Sequence, residues 1–229
     1  MTVRLTHWVT FVCFVALLVT GVELIISHPR FYWGETGNVN MKPAFSFPIP
    51  SSRGTVPTGY GYVMPDQNGW SRYLHFQAAW LLVLAGAAYL IAGIWTGHIR
   101  RDLLPEKGQR TVGAVLARMM QYLRRKPAGA EEATRYNVLQ RVAYLKVIFV
   151  IVPLLIWTGL ALSPTFEGAF PWAVIALGGR QSARTLHFFL TCALVVFFVV
   201  HLAMVTSLGF WSRTRAMITG RATEPKERG

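Results

Sequence analysis

Two histidines, His187 and His201, lie 14 residues apart in an otherwise apolar run of the sequence. On a helix, 14 residues make nearly four turns, so both imidazoles project from almost the same face, about 21 Å apart along the axis. That distance covers most of the roughly 30 Å hydrocarbon core of a bilayer. Imidazoles at such depth are costly and indicate a functional site. The spacing predicts two stacked centres, one near each membrane surface.

The composition is typical of a membrane protein. Of the 229 residues, 53% are hydrophobic and only 14% are charged. The net charge of +13 is interpreted as a topology signal and not as a sign of nucleic-acid binding. Cys13 and Cys192 both lie in apolar runs, outside any Cys-x-x-Cys pattern, and are expected to pack as small hydrophobes.

Four long apolar segments predict an all-α integral membrane protein, a bundle of four transmembrane helices. We place the helices at about residues 7–27, 73–97, 138–162 and 184–208. The first is long enough to remain as a span and not a cleaved signal. The third contains Pro153, which transmembrane helices tolerate. Residues 1–210 form the membrane domain, and residues 211–229 form a basic cytoplasmic tail that is expected to be disordered.

Three connections join these spans. Residues 29–70 form a long outer loop that is rich in glycine, proline and aromatic residues. Residues 98–136 contain basic clusters and, at 112–123, a pattern that predicts an amphipathic helix on the membrane surface. In the last connection, the apolar stretch 170–177 is expected to lie in the membrane interface. The N-terminus, residues 98–141 and the tail together hold 16 Lys and Arg residues, whereas the other two connections hold six. This asymmetry predicts that both termini are cytoplasmic.

The predicted topology sorts four histidines by depth. His75 and His187 lie towards the outer surface, and His7 and His201 lie towards the cytoplasm. A planar metal macrocycle with two imidazole ligands needs two histidines on facing helices at one depth, and this arrangement supplies that twice. Paired ligation also explains how histidines remain in an apolar setting.

Arginines and glycines accompany these histidines. An arginine stands three residues before three of them, namely Arg4, Arg72 and Arg184. A haem bound edge-on would direct its propionates towards these side chains. Alternatively, arginines at the ends of spans extend their guanidinium groups to water without binding a ligand. Gly21 and Gly159 each follow a threonine near the predicted outer centre, and Gly86 and Gly93 lie in the inner half of the second span. Glycine permits close approach of a macrocycle, and equally of a neighbouring helix.

Other metal sites fit the pattern less well. A zinc site needs ligands that converge at one place, whereas the two pairs are about 21 Å apart. His28 and His98 stand at span ends without a partner histidine at their depth, and we interpret both as interfacial. No phosphate-binding loop, zinc-protease motif or serine-based catalytic motif is present in the sequence.

At these residues the chain resembles the di-haem cytochrome b subunits of the bacterial cytochrome b561 group. Members include the membrane subunits of nickel–iron hydrogenases, formate dehydrogenases and thiosulfate reductases. The similarity covers residues 4–210 and is most specific at 4–8, 74–76, 136–141 and the His187/His201 spacing. It implies that the four histidines bind two b-type haems. It also implies a cytoplasmic-side site for menaquinone or ubiquinone, where Asn137 and Gln140, with Arg141 beside them, would hydrogen-bond the quinone. Capping of a helix start is the alternative role for Asn137.

The chain departs from compact family members in its outer connection of 42 residues, 29–70. An aromatic-rich outer surface favours docking of a periplasmic redox partner, and the resemblance favours a molybdopterin oxidoreductase. The predicted function is therefore respiratory electron transfer across the bacterial inner membrane, between that partner and quinone, in either direction. One alternative is a self-contained superoxide:quinone oxidoreductase, with Arg72, Arg180 and Arg184 steering the anion. Another is a haem-free anchor or transporter.

Overall fold

The computed structural model describes residues 1–38, 40–48, 67–104, 138–207 and 209–220, together with the helical positions 113, 117 and 120. Within these residues, four helices are long and apolar enough to cross a membrane. They are Thr2–Ser27, Gly69–Trp95, Leu139–Leu160 and Arg180–Ser207. The predicted all-α membrane architecture is confirmed. The first and last spans begin several residues earlier than predicted, because helical hydrogen bonding continues past the apolar run into polar sequence.

The elements in chain order are α1 (Thr2–Ser27), β1 (Arg30–Phe31), β2 (Phe45–Ser46), α2 (Gln67–Trp95), a π-helix (Ile99–Leu103), α3 (Val138–Lys146), a second π-helix (Val147–Ile151), α4 (Val152–Leu160), α5 (Pro164–Ala169), α6 (Pro171–Ile175), α7 (Arg180–Ser207) and α8 (Phe210–Thr219). The third span consists of α3, the second π-helix and α4. The two strands pair in antiparallel fashion, with Arg30 opposite Ser46 and Phe31 opposite Phe45.

The helices bury small and hydroxyl-bearing side chains and expose large apolar ones. Cys13, Thr20, Ala78, Thr158 and Ala161 are each at most 7% exposed. Many valines, leucines and tryptophans of the spans are more than 40% exposed. This distribution suits helices in lipid, where association depends on close backbone approach and not on burial of apolar surface.

The third span contains Pro153, and the helical turn just before it is wider than an α-helical turn. Pro153 has no N–H, so the carbonyl four residues earlier loses its usual helical donor. Just before it, the Val152 N–H donates to the Val147 carbonyl, a bond across five residues instead of four. The structure thus shows how this helix accommodates the proline that the sequence places within the span.

The chain divides into two compact units. The first unit holds residues 1–4, 90–153 and 192–229, and the second holds residues 5–89 and 154–191. His7, His75 and His187 therefore belong to the second unit, and His201 belongs to the first. The predicted domain that ends at residue 210 remains a prediction.

In the second unit, the start of the outer connection covers the first turn of α7. The backbone N–H groups of Gln181 and Ser182 donate to the Gly34 carbonyl at 3.0 and 3.1 Å. The N–H of Arg180 donates to Glu35 Oε2 at 3.1 Å. The Gly34 N–H in turn donates to Ser182 Oγ at 2.8 Å. These bonds satisfy N–H groups that a helix start leaves without intrahelical partners.

Gly179 makes this close approach possible. Its φ is +97°, and a Cβ added there would lie 2.7 Å from the Gly34 carbonyl carbon. A side chain is therefore excluded by backbone conformation and by space alike. Nearby, the predicted interfacial stretch forms α6, with Ala173 and Val174 buried and Trp172 and Ile175 exposed. Its position in the interface remains a prediction.

Two predictions about polar segments have different outcomes. The tail is not disordered throughout, because Phe210–Thr219 forms α8, in which Arg213 and Arg215 accompany the exposed Trp211 and Ile218. A helix with basic and apolar side chains can hold its structure at a membrane surface. The predicted helix at 112–123 lies largely outside the described residues, as do 49–66 of the outer loop and residues 221–229.

Candidate haem site

Helices α2 and α7 bring His75 and His187 together in the second unit. The two ring centroids are 6.4 Å apart, and the ring planes meet at 62°. A metal ion about 2 Å from one nitrogen of each imidazole would separate the ring centres by about 6 Å. The observed distance therefore leaves room for one metal ion between the two rings, so His75 and His187 could hold the metal of one macrocycle.

A threonine hydroxyl contacts the second nitrogen of each ring. Thr20 Oγ1 lies 2.9 Å from His75 Nδ1, and Thr158 Oγ1 lies 2.9 Å from His187 Nδ1. Each hydroxyl also donates to the carbonyl of the residue four positions earlier, 2.7 Å away in both cases. Since a hydroxyl has one proton, the ring must be the donor in the threonine–histidine bond. Both imidazoles thus carry their proton on Nδ1 and present Nε2 as the ligand nitrogen.

The glycines that follow these threonines leave space beside both rings. A Cβ added at Gly21 would lie 3.8 Å from His75 Cε1, and one added at Gly159 would lie 3.3 Å from His187 Cε1. Two neutral imidazoles with free Nε2 atoms, next to glycine backbone, are the donor set and the space that a bis-histidine haem requires. Within the described ranges, no group of three or more His, Cys, Asp or Glu side chains could hold a metal ion, so zinc gains no support there.

The difference between the two glycines gives a testable prediction. Gly159→Ala should displace the His187 ring, because 3.3 Å is tighter than ordinary carbon contacts, at a cost of about 1–3 kcal/mol. Gly21→Ala meets only an ordinary contact and should change less. The electron paramagnetic resonance spectrum of the oxidised haem and its thermal release report both effects. Equal perturbation by the two variants would contradict the assigned spacing.

In the first unit, His201 has a polar neighbour from the third span and an aromatic neighbour from its own helix, α7. Tyr144 Oη lies 3.4 Å from His201 Nδ1, and the Phe197 ring stacks on the imidazole with centroids 5.9 Å apart. Gln140 Nε2 lies 3.9 Å from Met204 Sδ. Gln140 and Tyr144 are four residues apart and share a face of α3, as His201 and Met204 share a face of α7. The predicted quinone residue Gln140 thus lies on the face that packs against the helix of His201.

The other predicted quinone residues have different positions. Arg141 is 8% exposed, and its Nη1 donates to the Leu104 carbonyl at 2.9 Å, which ties α3 to the end of the first π-helix. Asn137 lies outside the described residues. Quinone binding by Asn137, Gln140 and Arg141 remains a prediction.

The inner pair also remains a prediction. His7 lies in the second unit, where its ring makes an edge contact with Trp8 at a centroid distance of 5.4 Å. His201 lies in the first unit, and the ligand pair His7/His201 rests on the depth argument and on the family resemblance.

Two of the three predicted propionate-binding arginines contact protein carbonyls. Arg184 donates to the His28 carbonyl, and its guanidinium lies 4.8 Å from the centroid of the Phe31 ring. Arg4 Nη1 donates to the Ile218 carbonyl at 3.3 Å in the first unit. Arg72 is exposed. The propionate role of these arginines remains a prediction.

His98, predicted to be interfacial, has an acidic neighbour one turn away. Its Nδ1 lies 2.6 Å from Asp102 Oδ2. The interfacial position of His98 remains a prediction.

Sequence reasoning missed Thr20, Thr158 and Tyr144. The sequence contains Thr-Gly dipeptides at 20–21 and 158–159, and close approach of a macrocycle or helix explains only their glycines. The repetition of one dipeptide at the expected height of both outer ligands is the signal that could have identified the threonines.

Comparison with known proteins agrees with this geometry. The sequence model of the family described as prokaryotic cytochrome b561 matches residues 1–220. A protein of Azospira oryzae, assigned as subunit YedZ1 of a protein-methionine-sulfoxide reductase, is 33% identical over 202 residues, which cover 88% of this chain and 86% of that protein. No solved structure matches. The chain therefore belongs to the prokaryotic cytochrome b561 family, and it is a haem b-binding electron-transport protein that crosses the bacterial inner membrane several times.

Proposed function

We propose that this chain carries electrons across the inner membrane between the quinone pool and a periplasmic molybdopterin oxidoreductase. Two b-type haems would be bound, one by His75 and His187 and one by His7 and His201. The observation that carries the proposal is the His75/His187 pair, whose ring centroids lie 6.4 Å apart and whose Nδ1 atoms each contact a threonine hydroxyl, so that both Nε2 atoms could bind one haem iron. Haem b, when bound, supplies one-electron redox chemistry at each centre.

The likeness to YedZ1 favours one direction of flow. That protein is assigned to a protein-methionine-sulfoxide reductase. Reduction of a sulfoxide consumes two electrons and two protons and releases one water. A quinol releases two electrons and two protons when it becomes a quinone. The proposed flow is therefore from quinol, at the cytoplasmic side, to a periplasmic partner that repairs oxidised methionine in proteins.

The outer connection supplies the proposed docking surface. Residues 28–35 are bonded to the first turn of α7, only a few residues before His187. Within this connection Trp33 is 55% exposed and Met41 is 39% exposed. Aromatic residues and methionine are enriched at protein interfaces, and a firmly held segment loses little entropy on binding. The partner would thus bind directly above the outer ligand pair.

The alternative, a self-contained superoxide:quinone oxidoreductase, receives less support. Of its three steering arginines, Arg72 is exposed, but Arg184 donates to the His28 carbonyl and Arg180 Nη1 lies 3.4 Å from Glu167 Oε2. An arginine whose charge is already matched or buried attracts a small anion less strongly than a free one. A haem-free anchor or transporter would not need two imidazoles held with Nε2 available.

The central test is the haem content and electron flow of the purified chain. Pyridine haemochrome analysis should give two b-type haems per chain. In liposomes, added quinol should reduce both, and a periplasmic methionine-sulfoxide reductase with its substrate should reoxidise them. A single haem would contradict the two-pair assignment. The alternative function would be favoured if superoxide reduced both haems, while quinol did not reduce them and the reductase did not reoxidise them.

A prediction follows for the quinone end. Gln140→Leu should slow quinol-driven haem reduction by about tenfold or more, because the loss of one hydrogen bond in a buried site costs about 1–2 kcal/mol. The haem content should not change, since Gln140 is not one of the four predicted ligand histidines and its Nε2 lies 3.9 Å from Met204 Sδ. Lys146→Gln, an exposed position on another face of α3, is the matched control. Equal quinol kinetics in both variants would remove Gln140 from the quinone site.

A further inference from the structure

Thr20 and Thr158 occupy equivalent positions beside the two outer histidines. Each lies on a neighbouring helix, precedes a glycine and places its hydroxyl 2.9 Å from an imidazole Nδ1. We propose that both threonines are positioning residues that fix the ligand tautomer and lower the redox potential of the haem held by His75 and His187. This inference rests on the proposed function, because it requires that this pair binds haem.

The direction of the threonine hydroxyl protons permits only one tautomer of each imidazole ring. Thr20 and Thr158 are 0% and 1% exposed, so water does not compete for their hydroxyls. Each hydroxyl proton points to a backbone carbonyl at 2.7 Å, with a second carbonyl at 3.3 Å for Thr20 and 3.2 Å for Thr158. Only the oxygen lone pairs remain for the rings, and they can accept but not donate. A ring rotated or protonated on Nε2 would lose its bond.

The same bonds affect the iron through the ligand. A histidine that donates its Nδ1 proton to an acceptor becomes a more basic ligand at Nε2. A more basic ligand stabilises ferric iron relative to ferrous iron and lowers the potential. Because both outer ligands have a threonine acceptor, the two effects act in the same direction. A hydroxyl is a weaker acceptor than a carboxylate, so the displacement should be moderate.

His201 provides an internal reference. The phenol of Tyr144 lies 3.4 Å from its Nδ1, whereas a back-bonded threonine hydroxyl contacts each outer ring. A phenol has a proton that can be donated or retained, so it does not impose one tautomer in the way that Thr20 and Thr158 do. Substitution of the threonines should therefore change one haem and leave the other as it was.

The experiment uses the full-length chain with its haems bound. Thr20→Val and Thr158→Val keep the side-chain shape and remove the acceptor, while Thr20→Ser and Thr158→Ser keep it. Thr206→Val is the control, because Thr206 is exposed on α7 and its hydroxyl donates to the Ala203 carbonyl. Optical redox titration gives the potentials of both haems. Electron paramagnetic resonance reports the angle between the imidazole planes of the oxidised outer haem.

Each valine variant should raise the potential of the outer haem alone and alter its resonance spectrum. A tenfold change in the ratio of ferric to ferrous ligand binding corresponds to about 59 mV for a one-electron couple. The serine variants and Thr206→Val should match the parent. If the valine variants lose the outer haem, retention by the serine variants supports the inference, and loss by both overturns it in favour of simple packing. Unchanged potential and spectrum with haem retained also overturn it. Failure of the proposed function would give a different result, because His75→Ala would then have the same haem content as the parent.

Discussion

Replacement of His187 by alanine should reduce the haem content of the purified chain from two to one. If His75 and His187 hold one haem together, the loss of either imidazole would leave that haem with a single protein ligand. His75→Ala should remove the same haem, and the double variant should lose no more than either single one. Such non-additivity is expected when two side chains serve one ion. Pyridine haemochrome analysis and redox titration measure the count and identify the missing centre.

His201→Ala should remove the other haem, and electron transfer from quinol to the periplasmic acceptor should fall to background in every one of these variants. His98→Gln is the matched control, because its ring interacts with Asp102 and should leave both haems in place. If His75→Ala and His187→Ala removed different haems, the outer pair would be wrong. If His7→Ala and His201→Ala removed different haems, the inner pair would be wrong, and the assignment of the outer pair would not be affected.

The part of the fold that depends on one-dimensional properties was accessible from the sequence. Hydropathy locates four spans, since it is summed along the chain without knowledge of packing, whereas the orientation that the lysine and arginine asymmetry indicates remains a prediction. Orientation then assigns depth to each histidine from its position along its own helix. The structure brings His75 and His187 together at 6.4 Å, the contact that this depth argument predicts.

Contacts that depend on the rotation of a helix about its axis, or on backbone that is distant in the sequence, could not be predicted. A threonine in an apolar helix usually bonds the carbonyl four residues earlier, and Thr20 and Thr158 do so as well. Their second bond, to a histidine 55 or 29 residues away, exists only because neighbouring helices turn the right faces towards each other. The sequence holds no measure of that rotation.

Arg184 illustrates the same limit at the outer end of α7. Its spacing from His187 favoured a propionate ligand, but its guanidinium donates to the His28 carbonyl and packs over Phe31. Neither partner is identifiable from sequence, because His28 contributes its backbone and the intervening separation is 156 residues. The arginine thus fastens the outer connection to the helix that carries an outer ligand. Thr185 reinforces this link with a bond of 2.7 Å to the Tyr32 carbonyl.

Arg184→Ala should therefore loosen residues 28–35 and destabilise the outer end of the chain by about 2–4 kcal/mol, the sum of a charged hydrogen bond and a cation–π contact. Heat-induced loss of Soret absorbance and proteolysis of the outer connection should both occur at lower temperature than in the parent. Arg184→Lys should be intermediate, since lysine keeps a charged donor but not the planar fork. Lys42→Ala, exposed on the same connection, is the control and should resemble the parent. If Arg184→Ala melted like Lys42→Ala but lowered haem content in the folded chain, the arginine would serve the haem directly, as its spacing first predicted.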